Sequence, residues 1–261
     1  MGPDTGGLRT VSKKKKTRSA KLPVFKYDRS IKRALVVVAH PDDVDFGSGG
    51  TVATLTHHGV DVAYCLVTSG DAGGDDSTLS KEERAEVRES EQRAAAAEVG
   101  VTNLTFLRWP DGQVEPTLLL RREITRVIRR HRPDLVITQN PERNWERIYA
   151  SHPDHLAAGE ATLRAVYPDA RNPHAFPELL HEGLEPHTVP VVWLASGEPT
   201  MVVDITKRFS RKLAALLRHE SQVGSRTDLE KMLRHWARAN AKVAGLPKSR
   251  LAENFRVVDT K

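Results

Sequence analysis

Ala34-Leu35-Val36-Val37-Val38-Ala39-His40-Pro41-Asp42-Asp43 is the stretch on which the fold turns. Residues 34–38 are apolar without interruption and rich in β-branched side chains, the pattern of a strand buried on both faces. Such a strand belongs to a parallel sheet covered by helices on each side. Pro41 biases His40 toward extended backbone angles, so the strand ends there. His40, Asp42 and Asp43 then stand just beyond its carboxyl end, where open α/β sheets bind ligands.

The chain that follows keeps the same rhythm. Gly47-Ser48-Gly49-Gly50 leads into a short helix over 51–58, with Gly59 as its stop. Residues 60–68 predict a second strand. Ser80-Lys81-Glu82-Glu83 fits a capping box for a helix running to about Val99 and ending at Gly100. A strand over 104–107, a helix over 116–131, a strand over 135–138 and a helix over 153–167 that starts on Pro153 come next. Later strands are expected at 189–194 and 201–204, and later helices at 206–218 and 228–243. Alternation of this kind predicts an α/β fold, a doubly wound, mostly parallel sheet with helices on both faces. The loops 39–47, 68–80, 108–113 and 139–152 carry the Gly, Asp and His residues. Chemistry is therefore expected on one face of the sheet.

The 261 residues suffice for one large domain, and the formal net charge of +6 is unevenly spread. Residues 1–32 hold ten Lys/Arg and two Asp, whereas the rest holds thirty basic and thirty-two acidic residues. The basicity belongs to a tail rather than to the body, which argues against a general polyanion binder. Residues 1–30, with Lys13–Lys16, are expected to be disordered, and 31–261 to form a single α/β domain. Cys65 is the sole cysteine, so no internal disulfide can form. No apolar run approaches the roughly 18 residues of a membrane span, and the N-terminus has no hydrophobic leader segment. A cytoplasmic enzyme without membrane contact is expected, with nucleic-acid binding confined to weak contacts of the tail.

A second His-Pro pair, His152-Pro153-Asp154-His155, follows the fourth expected strand. His40 and Asp43 are three apart on a turn entering a helix, so both can face one ion, and His155 can supply a third ligand. Two imidazoles and a carboxylate around an open position compose a hydrolytic zinc site, and Fe2+ fits the same ligands. Asp42 could take the proton of a water activated by that ion. His152, protonated, could stabilise an oxyanion or protonate a leaving amine, and Asp154 could orient one of the histidines. Taken singly, the acids could instead be helix caps and the histidines loop residues. Two such motifs on strand-end loops favour the metal reading.

The paired motifs, with Gly49-Gly50, closely resemble the LmbE/PIG-L-like family of zinc-dependent N-acetylglucosaminyl deacetylases. Gly70-Asp71-Ala72-Gly73-Gly74, Arg88-Glu89-Ser90-Glu91, Trp109-Pro110-Asp111-Gly112 and His219-Glu220-Ser221-Gln222 extend the resemblance over about residues 33–258. It implies a Rossmann-like fold, with zinc on His40, Asp43 and His155, Asp42 as general base and His152 as acid or electrostatic stabiliser. It also implies sugar contacts from Arg88 and Asp111. Two departures stand out. Val44, then Asp45, occupies the place where many members have an acid directly after the first motif. Ala150 stands where some members have a catalytic tyrosine, with Tyr149 one residue earlier. The implied reaction removes acetyl from an N-acetylated amino sugar, a small-molecule substrate, in an enzyme that could form a homo-oligomer. The competing readings are an amidase for a larger glucosamine-containing thiol conjugate and a catalytically silent protein that binds through its basic tail.

Overall fold

Seven strands form one sheet in the order β3-β2-β1-β4-β5-β7-β6 in the computed structural model, which describes residues 21–74 and 76–261. In chain order the elements are β1 (Arg33–Val38), α1 (Asp43–Gly47), α2 (Gly49–His57), β2 (Asp61–Thr68), α3 (Lys81–Glu98), β3 (Asn103–Trp109), α4 (Leu118–His131) and β4 (Leu135–Gln139). There follow α5 (Pro153–Arg164), α6 (Glu178–His181), β5 (Val191–Ala195), β6 (Met201–Asp204), α7 (Phe209–Leu216), α8 (Glu220–Val223), α9 (Leu229–Val243) and β7 (Ala252–Asp259).

β3, β2, β1, β4 and β5 run parallel, and β7 lies antiparallel between β5 and β6. β1 pairs with β2 on one side and β4 on the other, so the winding reverses between β1 and β4. The crevice beyond the carboxyl ends of those two strands is the place where such sheets bind ligands. The loops carrying both His-Pro motifs leave from there.

Burial on both faces explains the unbroken apolar run of β1. Ala34, Val36 and Val38 point into a core shared with residues of α2, α7 and α9. Leu35, Val37 and Ala39 point the other way, into a core shared with α4 and α5. The capping box at α3 is formed: the Glu83 amide donates to Ser80 Oγ (3.1 Å) and the Ser80 amide to Glu83 Oε2 (2.8 Å). The start of α2 is fixed from the far end of the chain. Glu253 on β7 accepts the amides of Gly50 (3.0 Å) and Thr51 (2.7 Å), an acid placed at a helix N-terminus. A Cβ on residue 50 would come within 2.7 Å of Ile205, so only glycine lets α2 lie this close.

Two features differ from the sequence-based expectation. β7 was not expected, because Glu253, Asn254 and Arg256 break its apolar pattern. It is held by ladders to β5 and β6 rather than by strand propensity. Residues 21–30, expected to be disordered, dock on the sheet edge instead. The Phe25 amide donates to the Val202 carbonyl (2.7 Å), and the Phe25 ring packs edge-on against Trp193 at 4.9 Å. The Lys13–Lys16 cluster lies outside the described residues.

Candidate metal and acid–base site

The two loops bring the two His-Pro motifs together. His40 Nδ1 lies 3.2 Å from His155 Nε2 and 3.3 Å from Asp43 Oδ2, and His155 Nε2 lies 3.0 Å from Asp43 Oδ1. The other nitrogen, His40 Nε2, faces Asp154 Oδ2 at 3.2 Å and Asp111 Oδ1 at 3.1 Å. Carboxylates only accept, so Nε2 keeps a proton toward Asp111 and Asp154, and once Nδ1 gives up its own proton its lone pair faces Asp43 and His155. That division of labour, one ring nitrogen free and the other held by a carboxylate, is what a metal-ligating histidine needs. A four-coordinate ion with bonds of about 2.0–2.2 Å sets its ligands roughly 3.3–3.6 Å apart, within a few tenths of an ångström of these separations. The residues present therefore fit such an ion.

Asp154 opens α5 fully buried, and its carboxylate accepts the amides of Gly112 (2.7 Å) and Val114 (3.2 Å) besides facing His40. His152 takes the N-cap of α5, and its Nδ1 accepts the Asp154 amide at 3.2 Å. With Nδ1 an acceptor, the remaining proton of a neutral ring sits on Nε2. Tyr149 stands apart: it is 77 % exposed and its hydroxyl accepts from Arg147 Nε at 2.8 Å.

Asp42 occupies the N-cap of α1 but makes no side-chain cap bond, so the capping alternative fails for it. Its backbone is left-handed, φ 88°, an uncommon state for a residue other than glycine. Two side chains of α3, one turn apart, hold it there. Gln92 Oε1 accepts the Asp42 amide (2.8 Å), and Arg88 approaches the Asp42 carboxylate at 3.4 Å. Arg88 also donates to the carbonyls of Pro41 (2.8 Å) and Gly70 (3.0 Å). Gly70 sits at φ 69° with its would-be Cβ only 2.2 Å from the guanidinium, so no other residue fits above Arg88. The side chains of Arg88 and Asp111 are 4 % and 9 % exposed. Both stand beneath the site rather than on its surface.

Charge is concentrated here. Burial opposes a charge on His40, but hydrogen bonds to Asp111, Asp154 and Asp43 outweigh it and push His40 up to about 12. A cluster that holds a proton so firmly has a deficit of positive charge at its centre. Burial and then the Asp43 charge push Asp42 up to about 7, against the pull of Arg88, His219 and His40. Contacts with His155 and then His40 hold Asp43 well below the usual carboxylate range despite its burial. Burial, then His40 and His155, pushes His152 down, which favours the neutral ring.

Residues 35–166 match the family described as PIG-L: GlcNAc-PI de-N-acetylase. The chain belongs to this family. Among its relatives in the PIG-L family is the diacetylchitobiose deacetylase of Thermococcus kodakarensis, 37 % identical over 193 residues, or 74 % of this chain and 70 % of that one. Another is a probable N-acetyl-alpha-D-glucosaminyl L-malate deacetylase 2 of Bacillus cereus, 32 % identical over 73 % of this chain and 84 % of the relative. The solved N,N'-diacetylchitobiose deacetylase from Pyrococcus horikoshii, in complex with its inhibitor MPG, superposes with a TM-score of 0.81 at 30 % identity. That match covers 88 % of this chain and 85 % of the other.

Three residues of the site had no assigned role in the sequence reading: Asp45, Gln92 and His219. All are buried, and they meet behind Asp42. The acid in Val44-Asp45 and the His219 segment were visible as motif fragments. Gln92, inside a polar helix, carried no signal.

Proposed function

We propose that this chain is a zinc-dependent hydrolase that removes the acetyl group from the nitrogen of an N-acetylated amino sugar. The observation that supports it best is the donor set, with His40 Nδ1, Asp43 and His155 Nε2 within 3.3 Å of one another and the far side of His40 committed to carboxylates. His40, Asp43 and His155 would hold the ion, which when bound supplies Lewis-acid polarisation to the amide carbonyl and the attacking water.

Asp42 takes the proton of that water as the C–O bond forms, and returns a proton to the amine as the C–N bond breaks. His152 presents Nε2–H to the oxygen that gains negative charge. This replaces the protonated His152 of the sequence reading, because its Nδ1 is already an acceptor and its surroundings favour the neutral ring. Asp154 fixes the His40 tautomer. Arg88 and Asp111, buried as they are, hold Asp42 and His40 in place of the direct sugar contacts that the resemblance implied.

Asp71 accepts the Asp111 amide at 2.9 Å and also lines a cleft of about 390 Å³ with Ser69, Lys81, Arg108, Trp109 and Gln113. None of His40, Asp42, Asp43, His152 or His155 lines this cleft, so it would hold the part of a sugar remote from the reacting amide. Trp109 beside polar and charged groups suits a polyhydroxylated ring, and the volume lies in the ~300–1,000 Å³ range of small-molecule sites. No helix among the described residues is long and apolar enough to cross a membrane. The proposal includes a cytoplasmic location and a small amino sugar, not nucleic acid, as the partner.

Acetate release from N-acetylglucosamine and N,N'-diacetylchitobiose, and release of the free amine from a larger glucosamine amide, test the reading. Release from an acetamido sugar that stops on chelation and returns with zinc is expected. Zinc-loaded protein that frees no acetate from either acetamido sugar refutes it, and cleavage of the larger amide alone favours the amidase.

A further inference from the structure

Behind Asp42 lies a chain of polar side chains for which no role in the reaction has been given. His219, at the N-cap of α8, faces Asp45 Oδ2 through Nε2 at 2.9 Å, and Gln92 Nε2 donates to the same oxygen at 3.0 Å. Gln92 Oε1 accepts the amide of Asp42 at 2.8 Å. Asp45, Gln92 and His219 are each 0 % exposed. Asp45 can only accept, so the Gln92 amide has one orientation, NH₂ toward Asp45 and oxygen toward Asp42.

The arrangement is costly on two counts. Asp45 Oδ1 and His219 Nδ1 are buried without a hydrogen-bond partner among the described residues, and a buried pair of this kind is a poor source of stability. Asp42 itself is held at φ 88°, which a residue with a Cβ adopts only when its surroundings impose it. The first cost falls on Asp45 and His219 behind Asp42, the second on the backbone of Asp42, next to the ligand Asp43. They meet at the amide of Asp42, whose one acceptor among the described residues is Gln92 Oε1, the amide that Asp45 orients.

We propose that His219, Asp45 and Gln92 are positioning residues that fix the left-handed backbone of Asp42 and so aim its carboxylate at the attacking water. The inference rests on the base role given to Asp42 above. Arg88 steadies the carboxylate end, and the relay steadies the backbone end. α3 supplies both from one face, since Arg88 and Gln92 are four residues apart. The Asp45–His219 contact, spanning 174 residues, ties the site to the C-terminal third of the chain.

Gln92→Met keeps the length of the side chain and removes both hydrogen bonds. Turnover should fall at least about tenfold, with KM within about threefold and one zinc still bound, the pattern of an interaction that matters in the transition state. His219→Leu should behave alike, and His219→Gln, whose amide can still donate to Asp45, should recover most of the turnover. In the pair Gln92→Met/Asp42→Asn the rate should be no lower than in Asp42→Asn alone, because a relay cannot aim a base that is absent. Losses that multiply overturn the proposal, and so does a lowered Tm with turnover per folded molecule unchanged. Wild-type turnover in Gln92→Met beside a slow Asp42→Asn overturns the relay only. Wild-type turnover in Asp42→Asn removes the base role, and the relay with it. Should Gln92→Met not fold, the contrast between His219→Leu and His219→Gln decides the same point.

Discussion

Asp42→Asn should make the enzyme slower and the metal-free protein more stable. Asparagine tolerates the left-handed backbone as well as aspartate does, so φ 88° and the amide bond to Gln92 should persist. The lost function is proton transfer, since an amide cannot take a proton at neutral pH. Loss of a general base costs about 10²–10⁴ in rate, or roughly 3–5 kcal/mol of barrier. It should fall on kcat rather than KM, because the proton moves in the transition state. Zinc content should be unchanged, as His40, Asp43 and His155 remain.

The stability effect has the opposite sign. Burial and Asp43 push the Asp42 carboxyl from 3.8 to about 7 in the folded protein. An acid with a raised folded value stabilises the fold only while protonated, so its contribution is lost as pH rises from about 4 through about 7. Asparagine is uncharged throughout. After allowance for partial exposure of the carboxylate, the metal-free variant should gain on the order of 2 kcal/mol at pH 8, with almost no gain at pH 3.5. Zinc stoichiometry, acetate release and Tm at the two pH values measure all three consequences. Full rate with full zinc refutes the base role, and an unchanged Tm at pH 8 refutes the burial penalty.

Three further outcomes are expected. Asp43→Asn and His155→Ala should lose zinc together with activity while far-UV circular dichroism stays near wild type, because the ligands sit on loops of a large fold; tight binding of one equivalent by His155→Ala would show the ligand set to be wrong. His40 is held protonated up to about 12 in the metal-free protein, yet must free Nδ1 to ligate. Zinc uptake at pH 7 should therefore release about one proton from His40 and strengthen roughly tenfold per pH unit, and calorimetry in buffers of different ionisation enthalpy that finds no proton release would contradict this. Deleting residues 1–20 should leave turnover within about twofold, whereas deleting 1–30 also removes Phe25 from Trp193 and Val202 and should cost on the order of 3 kcal/mol; equal Tm values for the two truncations would contradict the docking of residues 21–30.

The sheet was legible where burial is two-sided. Ala34–Val38 and Leu135–Ile137 have no polar residue on either face, so continuous apolarity announces them and the turns beyond them. β7 was not legible, because Glu253 serves α2 and Lys212 rather than the core, and a strand that lends side chains to other elements loses its pattern. The docked Val24 and Phe25 were hidden in the same way, two apolar residues within a basic stretch whose composition says tail.

Within the site the legible part is the part made locally. His40, Asp42 and Asp43 share one turn, and His152, Asp154 and His155 share another, so spacing alone shows that each set can converge. Spacing does not say which nitrogen of His40 is free, or whether Asp42 caps a helix or stands in a left-handed turn. Those depend on Asp111 and Asp154 under His40 and on Gln92 behind Asp42, partners 50 to 114 residues away. Local sequence determines which groups can reach the reaction. Their protonation and direction come from buried long-range contacts, where a carboxylate that only accepts leaves its partners one orientation. The residues that supply those contacts carry no motif of their own, because what each must present is one correctly placed donor or acceptor, and for Gln92 that is an amide in the middle of a charged helix.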